Sequence, residues 1–121
     1  MTMTRAELLQ GYRQAKERIA TTKTWTRGTL ARSSLGREVY TSSRRATRWC
    51  AIGSLTVSCL PPQPLDCAAA SMMRDDYLSP GEINDELGHA AVMEMYELAI
   101  DLIELGAFDH LCDGKEWGEV V

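Results

Sequence analysis

Long hydrophobic runs are missing from this sequence of 121 residues. Its apolar runs all fall far short of the roughly 18 residues that a membrane-spanning helix needs. The first 20 residues also lack the apolar stretch followed by small residues that marks an export signal. We therefore predict a cytoplasmic protein with no membrane partner.

Metal-binding and disulfide patterns are missing as well. The four cysteines, at positions 50, 59, 67 and 112, include no Cys-x-x-Cys pair, and neither histidine has zinc-finger spacing from them. Without an export signal, the thiols are expected to stay reduced. The sequence therefore predicts no metal site, no disulfide framework and no cofactor.

Signatures of catalysis are scarce. The sequence has no glycine-rich phosphate loop, no Ser/His/Asp set and no paired-carboxylate motif. Cys50 could be a nucleophile whose pKa is lowered by Arg45 and Arg48. It also follows Trp49 in an apolar stretch, where unpaired cysteines are usually buried. The pattern favours a core role for this thiol.

Asp85 and His89 form the other candidate for chemistry. They are four residues apart, which would place them on one face of a continuous helix, as metal ligands are placed. Gly88 lies between them and argues against continuity. The simpler interpretation is that Asp85 or Asn84 caps the helix that follows. A non-enzymatic protein is therefore favoured over an enzyme.

Acidic residues are nearly absent from the first half of the chain. Residues 1–60 carry 11 Lys and Arg against 3 Asp and Glu, a net charge of +8. Residues 61–121 carry 2 against 14, a net charge of −12. This split predicts either a dipolar surface with one face suited to anions, or two halves that pack together and neutralise each other.

Helical patterns account for most of the chain. Thr4 and Glu7 have the spacing of a capping box, and apolar residues then recur every three or four positions. They predict a first helix that ends near Thr21. Further helices are predicted at 44–59, at 65–73, briefly after the cap residue Ser79, and at 89–105.

The segment between the first two helices has a different composition. Residues 24–43 are rich in Thr, Ser and Gly, and short alternating pieces flank a turn at 34–36. We predict a small β-hairpin or an ordered loop there. Residues 107–121 are expected to form a loosely packed acidic tail. The whole chain, 1–121, is thus predicted to be one mainly α domain of four to five helices with a small hairpin insert.

A core motif lies in the second predicted helix. Trp49, Cys50, Gly53 and Leu55 are expected to be buried, with this helix packed beside the last one. A glycine inside a helix costs around 1 kcal/mol relative to alanine. Gly53 therefore predicts the close approach of another backbone.

Three segments resemble an uncharacterised family of small bacterial and phage proteins. They are TWTRGTLARSSLGREV, RWCAIGSL and IND, the last followed by an amphipathic helix. The family carries a Trp-Cys-Ala-x-Gly-Ala-Leu motif and a downstream Asn-Asp, and the resemblance extends from about residue 19 to about residue 105. Ser54 stands where alanine is usual, and Ile83 where tryptophan is usual. The resemblance implies an architecture and a bacterial or phage origin, but no catalytic residue.

Two sets of charged residues are candidates for binding a partner. Forked guanidinium groups suit phosphate or carboxylate, and acidic residues three and four apart share one helix face. The basic set comprises Arg27, Arg32, Arg37, Arg44, Arg45 and Arg48. The acidic set comprises Glu94, Glu97, Asp101 and Glu104.

Three arginines of the basic set stand at the predicted start of the second helix. Cations there oppose the helix macrodipole, so they need an anion nearby. Carboxylates of residues 82–86 are the expected internal partners, above all for Arg48. An external anion is the alternative.

Three function classes remain. We expect first a non-enzymatic macromolecule-binding domain, a phage or bacterial inhibitor or adaptor whose partner is a protein, for example a host-defence component. The alternative is a nucleic-acid-binding protein that uses the basic set, with Trp25 and Tyr40 available to stack on bases. The third is an enzyme centred on Cys50 or on Asp85 with His89.

Overall fold

The computed structural model describes residues 3–72 and 78–112. The fold is mainly α with a small antiparallel sheet, which confirms the predicted fold class. A π-helical turn, Ile83–Leu87, precedes the last helix, and a 3₁₀ turn, Asp109–Leu111, follows it. The helices and strands are α1 Arg5–Arg18, β1 Ala31–Ser33, β2 Ala46–Trp49, α2 Ala51–Val57, α3 Gln63–Met72, α4 Pro80–Glu82 and α5 His89–Glu104.

Local signals start α1 and α4 as predicted. The Thr4 hydroxyl accepts a hydrogen bond from the Glu7 N–H at 3.0 Å, and the Glu7 carboxylate accepts one from the Thr4 N–H at 2.9 Å. Ser79 and Glu82 form the same reciprocal cap on α4. α1 ends at Arg18, earlier than predicted, because Ile19 leaves the helical conformation before the β-branched residues that follow.

α5 is the central helix. It packs mainly against α3 and α1, and its core side chains are Val92, Met95, Tyr96, Ala99 and Ile103. The prediction that the second helix packs beside α5 is corrected, because α2 packs mainly on α1 and α4. One hydrogen bond joins α2 to α5, from the Tyr96 hydroxyl to the Ala51 carbonyl at 2.7 Å.

The second helix starts at Ala51 and not at residue 44. Residues 46–49 form β2, which pairs antiparallel with β1 so that Ala31 faces Trp49. Thr47 and Trp49 are of the types that suit a strand. The Cys50 N–H also donates to the Leu30 carbonyl at 3.1 Å, which holds the chain extended up to the helix cap.

Two short segments extend the sheet on either side. Arg32 of β1 forms an antiparallel bridge with Glu38, and Trp49 of β2 forms a parallel bridge with Trp25. The predicted pairing across the turn at 34–36 is present in this way, although the longer partner of β1 is β2. From one edge to the other, the order is 37–39, β1, β2, 24–26.

The first part of the predicted acidic tail is packed and not loose. Phe108 is 6% exposed, and Asp109 forms an ion pair with Arg5 at 2.6 Å. Residues 113–121 of that predicted tail lie outside the described residues. In the described part of the chain, no helix combines the length and the apolar character needed to cross a membrane.

Candidate functional site

Asn84 attaches the sheet to the helices. Its fully buried side chain accepts hydrogen bonds at Oδ1 from the Trp25 indole N–H at 2.7 Å and from the Ala51 N–H at 2.9 Å. Its Nδ2 donates to the Thr26 carbonyl at 3.0 Å and to Asp85 Oδ1 at 3.1 Å. The two lone pairs and two N–H groups of the carboxamide are all used. Asn84 therefore links the sheet to α2, and it does not cap α5.

The N-terminal ends of α5 and α2 differ from expectation. The N-cap of α5 is Gly88, with φ 93°, and no side chain caps it. The N-cap of α2 is Cys50, whose Sγ accepts a hydrogen bond from the Gly53 N–H at 3.2 Å. A Cβ atom added to Gly53 would lie 2.0 Å from the Leu30 carbonyl oxygen. The close backbone approach that this glycine predicts is therefore made by Leu30, the residue before β1.

The thiol of Cys50 lacks the environment of a nucleophile. It is 6% exposed, and this burial raises the pKa of the thiol above its usual value. Backbone hydrogen bonds lower the pKa by a smaller amount, and the charge of Asp85 raises it further. A catalytic thiol needs the opposite shift. Leu55 is also buried, and Trp49 is half-buried.

Asp85 lines the same pocket as Cys50, a hollow of about 310 Å³. Its Oδ1 already accepts a hydrogen bond from the Gly28 N–H at 2.9 Å. His89 does not line that pocket, because its Nε2 contacts the Ile19 carbonyl at 2.7 Å and its ring packs edge-on against Trp25. In residues 3–72 and 78–112, no group of three or more potential ligands is placed to hold a metal ion. The pocket thus brings Asp85 beside Cys50 but does not include His89.

Two members of the basic set are held by neutral partners. The Arg32 guanidinium donates to the Thr26 hydroxyl and to the Gly36 carbonyl, both at 3.0 Å. Arg27 lies over the Trp25 ring, 5.0 Å from its centroid. Arg48 faces Arg32 across β1 and β2. Like charges opposite each other are unfavourable in a sheet, but Glu38, the partner of Arg32 on its other side, places a carboxylate opposite Arg32.

The other members of the basic set converge on one surface. Arg37, Arg44 and Arg45 are exposed and line a groove of about 420 Å³ together with Ser33, Ser34, Thr47 and one carboxylate, that of Glu38. We call these seven residues the arginine groove, and residues 27–49 the arginine hairpin. The sequence identified the three arginines by charge, but their convergence depends on the pairing of β1 with β2.

The expected internal partners of these arginines are engaged elsewhere. In the described part of the chain, the carboxylates of residues 82–86 form no ion pair with Arg48 or with the groove arginines. Glu82 caps α4, and Asp85 accepts from Gly28 and Asn84. The three arginines also do not stand at a helix start, because residues 44–48 precede the strand-to-helix junction at Cys50, so the expected conflict with the helix macrodipole does not arise.

An apolar hollow adjoins the arginine groove. Leu30, Val39, Tyr40 and Thr56 contribute to its lining, and its volume is about 780 Å³. Tyr40 is 87% exposed and Leu30 is 45% exposed. The sequence offered only the signal of a leucine and a tyrosine in a polar segment, so the hollow itself was missed. Trp25, the other expected stacking residue, is instead engaged with Asn84.

The acidic set is partly neutralised by α1. Glu97 pairs with Lys16, and Glu104 pairs with Arg13 at 2.6 Å. Glu94 and Asp101 are exposed and form no ion pair with another described residue. The two charged halves thus pair in part between α1 and α5, whereas Arg37, Arg44 and Arg45 form no ion pair with a described carboxylate.

Comparisons with protein-family models, with curated proteins and with solved structures return no match. The resemblance to the bacterial and phage family stays a prediction.

Proposed function

We propose that this chain is a non-enzymatic binding domain that recognises an acidic surface of a protein partner through the arginine hairpin. The observation that carries the proposal is the arginine groove, where three exposed guanidinium groups lie beside an apolar hollow and have no ion-pair partner among the described carboxylates. Arginine can bind carboxylate with two parallel hydrogen bonds, which gives such a surface specificity as well as attraction.

The apolar hollow favours a protein over a nucleic acid. An aliphatic or aromatic side chain of a partner would fill the space beside Leu30, Val39 and Tyr40. Arginine and tyrosine are the residue types that dominate binding energy in protein interfaces. An inhibitor or adaptor of bacterial or phage origin, acting in the cytoplasm, is the role that we propose for this surface.

Nucleic-acid binding is the second candidate, and one observation favours it. The arginine groove combines guanidinium groups with three hydroxyl side chains, and Tyr40 is exposed beside it. Phosphate is bound by these groups, and an exposed ring can stack on a base. Binding of this kind would weaken steeply as salt is added.

Affinity capture with a matched pair of variants tests the proposal. Arg45→Glu reverses one charge in the arginine groove, and Lys23→Glu makes the same change at an exposed residue outside it. From a lysate of the source cells, the parent protein and Lys23→Glu should retain a stoichiometric protein that Arg45→Glu loses. Nuclease treatment of the lysate should leave that capture unchanged.

Two results would contradict the proposal. Loss of the partner after nuclease treatment would assign the surface to nucleic acid. Retention of the partner by Arg45→Glu would show that the arginine groove is not the binding surface.

A further inference from the structure

Ser33 brings to the arginine groove a hydroxyl group that can only donate. It is 7% exposed, and its Oγ accepts hydrogen bonds from the Leu35 N–H at 3.2 Å and from the Arg37 N–H at 3.3 Å. These bonds use both lone pairs of the oxygen, so the O–H still needs an acceptor. No described residue accepts a hydrogen bond from it. A buried donor without an acceptor, in a groove lined by three guanidinium groups, suits the oxygens of a bound phosphate.

Glu38 lies where the arginine groove meets the apolar hollow. It is exposed, it lines both surfaces, and its carboxylate forms no ion pair with a described cation. An ionised carboxylate only accepts hydrogen bonds. A ligand that spans both surfaces would therefore satisfy Glu38 best if it carries hydroxyl groups next to its anionic end.

The apolar hollow has the lining that a flat ring requires. Tyr40 is 87% exposed and can stack on a base, and Leu30 and Val39 supply aliphatic contacts. Pockets that bind small molecules are mostly apolar, have volumes of about 300–1,000 Å³ and contain a few polar groups that orient the ligand. Four hydroxyl side chains provide such groups here, those of Thr29, Thr41, Ser43 and Thr56.

We propose that the arginine groove and the apolar hollow together bind a ribonucleoside phosphate. The phosphate contacts the groove arginines and the Ser33 hydroxyl, the ribose hydroxyls donate to the Glu38 carboxylate, and the base stacks on Tyr40. An acidic side chain is a common acceptor for ribose hydroxyls in nucleotide sites. The order of phosphate, ribose and base in the ligand thus matches the order of groove, Glu38 and hollow on the surface. A free nucleotide and a nucleotide unit of RNA share this chemistry.

Titrations of the full chain, followed by amide chemical shifts, test the inference. The probes are the four ribonucleoside 5′-monophosphates, their 2′-deoxy counterparts and the unphosphorylated ribonucleosides. We expect the deoxy forms to bind about tenfold more weakly, the effect of one lost hydrogen bond to a charged group. The nucleosides should also bind more weakly, because they lack the phosphate. The shifted amides should cluster in residues 29–47.

Glu38→Ala gives the sharpest comparison. If the carboxylate accepts from the ribose, this variant should bind the ribose and deoxyribose forms with nearly equal affinity. If the carboxylate only repels phosphate, the variant would bind both forms more tightly and keep their ratio unchanged.

Three further variants assign the other parts of the ligand. Arg44→Gln should bring the affinity for nucleotides close to that for nucleosides, because it weakens the phosphate contact. Tyr40→Ser should weaken the binding of both. Lys23→Gln removes a charge outside the site and should bind like the parent protein.

The outcomes separate this inference from the proposed function, on which it does not depend. No chemical-shift change at millimolar nucleotide overturns the inference, and so does a ratio of ribose to deoxyribose affinity that Glu38→Ala leaves unchanged. Tighter binding of a single-stranded RNA, with the same dependence on Glu38 and Arg44, would support it and identify RNA as the source of the nucleotide. The lysate capture with Arg45→Glu decides separately whether the arginine hairpin binds a protein.

Discussion

Asn84 is a single side chain on which two parts of the fold depend. Asn84→Ala would leave the Trp25 indole N–H, the Ala51 N–H and the Thr26 carbonyl without their present partner. An unsatisfied buried polar group costs about 1–3 kcal/mol, so we expect the free energy of unfolding to fall by about 3–5 kcal/mol. Urea denaturation measures this loss.

Glu86 supplies the control for that measurement. It lies in the same π-helical turn and is exposed, so Glu86→Ala should change the free energy of unfolding by no more than about 0.5 kcal/mol. A loss below about 1 kcal/mol for Asn84→Ala would show that water or a rearranged loop replaces the carboxamide.

Gly53 and Gly81 form a second matched pair. Gly53→Ala places a methyl group 2.0 Å from the Leu30 carbonyl oxygen, a backbone atom that cannot move without shifting the sheet. We expect a loss of about 1–3 kcal/mol in the free energy of unfolding, the usual cost of overpacking. Gly81 has only the Ser79 hydroxyl, at 3.9 Å, near the added atom.

Gly81→Ala should therefore be neutral or stabilising by up to about 1 kcal/mol, because alanine restricts the unfolded chain. Thermal denaturation of the two variants beside the parent protein gives the comparison. Equal midpoints for Gly53→Ala and Gly81→Ala would mean that the contact with Leu30 is not tight.

At the scale of elements, the ion pair of Arg5 with Asp109 joins the start of α1 to the 3₁₀ turn. Hydrogen bonds from the Arg5 guanidinium, at 2.9 and 2.6 Å, lower the pKa of the Asp109 carboxyl below its usual value. A carboxyl whose pKa is lower in the folded state stabilises the fold above its unfolded pKa. That contribution is lost as the pH falls through the folded pKa.

An NMR titration of Asp109 measures the shift directly. Arg5→Gln should return the pKa of Asp109 towards its usual value, because the charged donor is gone. Arg13→Gln removes a similar charge from α1 but leaves this ion pair in place, so the titration of Asp109 should stay as in the parent protein. An unchanged pKa in Arg5→Gln would assign the shift to other groups.

The elements that the sequence predicted well are those with local signals. The boundaries of α5 and the caps of α1 and α4 follow from residues within one or two turns of each other. β2 was assigned to a helix because its partners, β1 and Trp25, lie well before it in the chain and cannot be read from its own residues. The arginines were visible as charge, but their meeting in one groove required the register of the sheet.

At the scale of the whole molecule, two buried phenols limit stability in alkali. Burial raises the pKa of Tyr12 and of Tyr96 above the ordinary value near 10. The Tyr12 hydroxyl donates to the Pro61 carbonyl, and the Tyr96 hydroxyl donates to the Ala51 carbonyl. The folded state therefore favours the neutral phenol of both residues.

The sign of the pH dependence follows from these raised pKa values. Stability contributed by the neutral phenols is complete below about pH 10 and is lost as the pH rises towards their folded pKa. We expect the melting temperature to fall above about pH 10, with a shallower fall in Tyr96→Phe, which has one such phenol fewer. Tyr40→Phe is the control, since Tyr40 is exposed. Identical slopes for Tyr96→Phe and the parent protein would contradict this account.

The order of residues along the chain has a consequence for biosynthesis. The hydrogen bonds that join Trp25 and Ala51 to later residues span 33 to 59 positions, and their later member is Asn84 or Tyr96. On the ribosome, the positively charged half of the chain emerges first, beside polyanionic RNA. The central helix of the fold, α5, is synthesised later. Contacts of such long sequence separation form late in folding. We therefore expect the nascent chain to remain open until α5 has left the exit tunnel, and the arginine hairpin to acquire its final shape only after translation of the core is complete.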